Sequence, residues 1–184
     1  MSPILTLLLA FLLQAAEPRQ RQPDLEPLLR DSAALQKLKI LYAPPAQKSY
    51  QAFFVYGDGS VVWQAFPTQR MSVTDVPTCR NKISPDKVKG LVRLMIEKHF
   101  LDLPEKDFIL AFAGYRNAEL ELHTIAVDNG LGKARKTFGN GEYGGKQESI
   151  PADFGSIEEE LKLLKESAFP PSSMNCQLAQ AINF

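Results

Sequence analysis

The chain predicts an α+β fold: an antiparallel sheet of about five strands with two helices packed mainly on one face. Three observations carry this. Two strand–turn–strand patterns fold around glycine-containing turns, at Gly57-Asp58-Gly59 and Asp128-Asn129-Gly130. An amphipathic helix pattern follows each of them. The two turns also stand about as far apart as the two helix-opening serines, Ser84 and Ser156, which suggests a ββα unit used twice.

The N-terminus reads as an export signal. Residues 1–16 carry no charged side chain, and residues 4–13 (ILTLLLAFLL) form a run of about ten apolar residues. That suits the apolar core of a secretory signal and is short of the roughly 20 residues a membrane-crossing helix needs. Cleavage is expected after Ala15 or Ala16, where the composition turns abruptly to Glu17-Pro18-Arg19. An uncleaved N-terminal anchor is the alternative. The expected localisation is periplasmic or extracellular, with no transmembrane segment in the mature chain.

Residues 17–37 are polar and proline-punctuated, with a short helix around residues 25–30, and read as a linker. The domain is expected over residues 38–168, with a C-terminal tail over 169–184. Residues 38–42 (LKILY) form a first strand, stopped by Pro44-Pro45. Residues 50–56 (YQAFFVY) and 61–66 (VVWQAF) form the first hairpin, and a polar, irregular stretch runs from 67 to 82. Ser84-Pro85-Asp86 opens a helix with a capping serine, a proline in the first turn and an acid near the positive dipole end. Val88, Leu91, Val92, Met95 and Ile96 make its apolar stripe, which stops near His99. A second hairpin spans 119–127 and 133–138, and a glycine-rich loop follows over 139–145. Ser156 with Glu159 reads as a capping box, opening a helix whose buried stripe is Ile157, Leu161 and Leu164.

Residues 50–63 (YQAFFVYGDGSVVW), 83–88 (ISPDKV) and 99–104 (HFLDLP), in that order, resemble a bacterial exported family, domain-of-unknown-function family 6438. The similarity covers residues 38–168. It implies an exported or lipid-anchored context and this fold, and supplies no catalytic residue. The chain departs from the family at Ala46-Gln47-Lys48-Ser49, where a Cys-Pro is usual.

Charge and composition narrow the function. The 21 acidic residues balance 21 basic ones, so nothing supports a nucleic-acid partner, which calls for a basic excess. Cys79 and Cys176 are the only cysteines. In an oxidising compartment they are disulfide candidates, and a bridge over so long a loop adds up to ~4.7 kcal/mol on the chain-entropy model; two unpaired thiols are the alternative.

Few motifs point to chemistry. Residues 139–144 match G-x-G-x-x-G, but Gly145 to Pro151 make a poor helix opening for a dinucleotide site. His123 alternates with Glu119 and Glu121 on a strand, so the three share one face and are weak candidates for a divalent metal; a solvated, mixed-charge strand face explains them more simply. The two glutamates lie roughly 7 Å apart at strand spacing, yet no sugar-stacking cleft accompanies them. Tyr50, Phe54, Tyr56 and Trp63 suit a core as well as a binding platform, and no G-x-S-x-G nucleophile motif is present.

The expectation is therefore a non-enzymatic exported module, without cofactor, that binds a protein or envelope component through the 139–145 loop or a sheet edge. The alternative is a small metal-dependent or hydrolytic enzyme with a site assembled from distant residues.

Overall fold

The computed structural model describes residues 22–45, 49–67, 75–104, 121–143, 146–170, 176–180 and 182. The signal segment, its cleavage point and Glu119 lie outside them. The described residues form eight strands: β1 (Lys39–Ala43), β2 (Ser49–Tyr56), β3 (Ser60–Pro67), β4 (Asp75–Lys82), β5 (Glu121–Asp128), β6 (Lys133–Tyr143), β7 (Lys146–Glu148) and β8 (Cys176–Gln180). They also form the helices α1 (Glu26–Arg30), α2 (Ser32–Gln36), α3 (Pro85–Glu97) and α4 (Ala152–Ala168), with a 3-10 turn at Phe100–Asp102.

The fold is α+β, built on one antiparallel sheet in the order β7-β6-β5-β1-β2-β3-β4-β8. Eight strands replace the expected five because three were not legible locally. β4 (DVPTCRNK) has no apolar alternation and contains Pro77; it is a strand because β3 and β8 pair with it on either side. β7 is short and polar and β8 is only five residues long, and they take their conformation from β6 and β4.

Alternation along the central strands separates two faces. Ile40, Tyr42, Phe53, Val55, Ile125 and Val127 join the stripes of α3 and α4 in one core. On the other face Ala52, Phe54 and Val62 form a smaller cluster with Leu41, Tyr56 and Ile182. Both long helices thus serve the same face.

Helix α3 opens as its sequence dictates: Ser84 Oγ accepts from the Lys87 amide and Pro85 takes the first turn. Helix α4 does not. It starts at Ala152 behind Pro151, so Ser156 falls inside the helix and donates its hydroxyl to the Ala152 carbonyl. Pro151 holds the cap position and Phe154 in the first turn is fully buried, which draws the start forward. The serines are not equivalent, and one argument for a repeated ββα unit falls away.

Two boundaries also move. The stretch read as a linker is part of the domain, because Leu25, Leu28 and Leu35 are buried in the main core. The segment meets both hairpins: Asn129 Nδ2 donates to the Asp24 carbonyl, and Gly57 lies so close to the Leu35 carbonyl that a Cβ would collide with it. The tail likewise returns to the sheet as β8.

Candidate functional site

The most concentrated chemistry lies between the sheet and α4. On β1 the side chains of Ile40 and Tyr42 point to the helices, and on β5 so do His123, Ile125 and Val127. Tyr42 pairs with Ile125 across the ladder, so His123 sits diagonally beside the tyrosine on the same face. Above them α4 buries Phe154, Ile157, Glu158, Leu161 and Leu164. Glu158 follows Phe154 by one helical turn and precedes Leu161 by three residues, which places a carboxylate within the apolar stripe.

One oxygen of that carboxylate collects three donors. Glu158 Oε1 accepts from Tyr42 Oη at 2.7 Å and from His123 Nδ1 at 2.7 Å, and pairs with Lys162 Nζ at 3.1 Å. Tyr42, His123 and Glu158 are 1%, 6% and 3% exposed. Burial pushes the Glu158 carboxyl upward, but hydrogen bonds from His123, Tyr42 and Lys162 outweigh it and hold the group at about 2. Burial, followed by donation to Glu158, drives the Tyr42 hydroxyl far above its ordinary range, so it remains a neutral donor. An ionised carboxylate only accepts, hence Nδ1 of His123 carries a proton. Its Nε2 is buried and has no hydrogen-bond partner among the described residues. Phe138, opposite His123 in the β5–β6 ladder, stacks edge-on against Phe154 at 4.7 Å and walls this side.

This differs from the expected strand cluster. Glu121 shares the His123 side of β5 but is exposed at the strand's beginning, and Glu119 lies outside the described residues. The acid that meets His123 comes instead from α4, 35 residues away. Among the described residues no three His, Cys, Asp or Glu side chains converge as a metal site. A carboxylate–imidazole pair is the arrangement that orients metal-bound histidines, yet here it is enclosed by the sheet, α4 and aromatic rings. Its evident effect is to clasp α4 to β1 and β5.

Neither a family model nor a curated protein matches this chain.

The cysteines occupy facing positions in the β4–β8 ladder and form a disulfide, with Cα atoms 4.2 Å apart. Next to Cys79 across the β3–β4 ladder stands Trp63, whose ring lies 5.0 Å below Lys165 Nζ. Lys165 also donates to Gln51 Oε1, and burial pulls its ammonium below the ordinary lysine range. The aromatics weighed as a platform are divided: Trp63 packs on the helix face, whereas Phe54 and Tyr56 lie on the other, and the Tyr50 side chain is outside the described residues. Most of the expected glycine-rich loop is strand. Gly139 to Tyr143 continue β6, with Gly141 at φ +126°; Gly139 and Asn140 pair with β5 and Gly141 to Tyr143 with β7, so the described part of the run opens no helix for a phosphate. His99 lies just past α3 at φ +49°, exposed, 3.7 Å from Asp102.

Proposed function

We propose that this protein is a non-enzymatic, disulfide-braced binding module of an exported compartment, and that it recruits an extended protein segment by strand addition along β8. The observation that carries the reading is the contrast between the two sheet edges. The β7 edge is three residues long and has a charge at either end, Lys146 and Glu148, a device that discourages further pairing. The β8 edge is uncharged from Cys176 to Gln180, and Leu178 is 73% exposed. Its single strand neighbour among the described residues is β4. An open, uncharged edge with a protruding leucine supplies the main-chain ladder and the side-chain anchor that strand addition uses.

The disulfide suits an oxidising compartment, and so does the resemblance to exported family 6438. No helix among the described residues is long and apolar enough to cross a membrane. The burial of the Tyr42–Glu158–His123 cluster supports a structural role over an enzymatic one.

A photo-crosslinking residue at Leu178, compared with one at Leu163, an exposed leucine on α4, tests the reading in the native exported fraction. One defined polypeptide captured from position 178 and absent from position 163 is the expected result. Equal labelling at both positions would overturn it. So would a thermal shift with a divalent metal that vanishes in His123→Ala, which would instead support the enzyme.

A further inference from the structure

Resting on that reading of the β8 edge, we propose that the Cys79–Cys176 disulfide gates it. Oxidised, the bond keeps β8 in the sheet; reduced, β8 detaches while the helix-covered core stays folded.

β8 has little else to hold it. Cys176, Gln177, Leu178 and Gln180 are exposed and Ala179 is half-buried, so the strand itself inserts no side chain into either core. Strands β1, β2, β3 and β5 each bury residues at or below 1% exposure. Besides the ladder to β4, β8 is fastened by Gln64, whose Nε2 donates to the Gln180 carbonyl at 3.0 Å and whose Oε1 accepts from the Ile182 amide at 2.9 Å. Ile182 also lies half-buried beside the small second cluster. These contacts fasten the far end. The disulfide pins the near end, at the Cys79–Cys176 pair that closes the ladder. A segment with exposed side chains and edge hydrogen bonds belongs to the low end of local stability, where opening does not require global unfolding.

The two residues also differ in access: Cys79 is buried and Cys176 exposed. A dithiol carrier protein therefore attacks Cys176 Sγ as its thiolate. The Cys79–Cys176 bond breaks, a carrier–Cys176 disulfide forms, and Cys79 leaves as a thiolate that takes up a proton. The second carrier thiolate then attacks the mixed disulfide and releases Cys176, which is protonated in turn. Two electrons pass to the protein, and the carrier ends as its own disulfide. A partner strand added to β8 would leave with it.

Hydrogen exchange on the oxidised and the phosphine-reduced protein, without any partner, tests the gate. Amides of Gln177 to Gln180 are expected to exchange roughly tenfold faster or more after reduction, while β1, β2 and β5 keep their protection. Unchanged exchange in β8 would overturn the proposal. Loss of protection in all strands together would overturn it too, because the bond would then act on the whole fold. The double variant Cys79→Ser, Cys176→Ser should reproduce the reduced pattern without reductant; if it does not fold, reduction of the folded protein remains the test. Failure of the crosslink at Leu178 would remove the recruitment reading and leave this exchange result standing.

Discussion

Glu158 occupies a position that the repeat of α4 reserves for an apolar side chain, and its three donors make that tenable. A buried carboxylate without partners would protonate; here its group is held at about 2 against an ordinary 4.5. The proton is bound more tightly in the unfolded chain, so the contribution to stability is whole above about pH 4.5, declines as pH falls, and is gone below about 2. That difference amounts to about 3 kcal/mol. Glu158→Gln should therefore lower stability at neutral pH by roughly 3 kcal/mol, and flatten the acid limb of a urea-unfolding series between those pH values. An unchanged limb would assign it to other carboxylates. His123 was legible as a residue with chemical potential, and its actual partner was not. Spacing along a strand relates residues of one element only, and gave Glu119 and Glu121. The signal for Glu158 was present in the sequence nonetheless, as a carboxylate one turn after Phe154 inside a buried stripe.

Elements that carry their own instructions were legible, and elements made by their neighbours were not. The β2–β3 hairpin announces itself through Gly57-Asp58-Gly59, and the structure shows why both glycines are required. Gly59 has φ +83°, and Asp58 accepts from the Ser60 amide and hydroxyl to close the turn. Gly57 answers a different demand: a Cβ there would land on the Leu35 carbonyl oxygen at the end of α2. β4, β7 and β8 lack any such local signal, since pairing rather than propensity creates them. Gly57→Ala should thus cost on the order of 3 kcal/mol or more, because backbone must shift. Gly90→Ala in α3, where a Cβ meets nothing within 4 Å, should instead add about 0.5–1 kcal/mol from helix propensity. Thermal midpoints of the two variants that moved in the same direction would refute this account of the glycines.

At the scale of the whole molecule, the error that mattered was the N-terminal boundary. Residues 17–37 look like a linker because prolines and charges dominate them, and five-residue helices are too short to display a convincing periodicity. Three of their four leucines, Leu25, Leu28 and Leu35, nevertheless reach the core at 3%, 2% and 3% exposure. Burying a leucine is worth about 1.5–3 kcal/mol, so the trio contributes on the order of 5–9 kcal/mol, comparable with the entire margin of roughly 5–15 kcal/mol that keeps a domain folded. The segment also supplies the carbonyl that satisfies Asn129 Nδ2. A chain beginning at residue 38 would leave the sheet's helix face uncovered beside Leu38 and Ile40 and leave the buried Asn129 amide without that acceptor. It should unfold without a cooperative transition and bind an apolar dye, whereas a chain beginning at residue 22 should unfold in one step. Cooperative unfolding of the shorter chain at the same urea concentration would return residues 22–37 to the role of a tether. Loss of cooperativity would make them the element that completes the core.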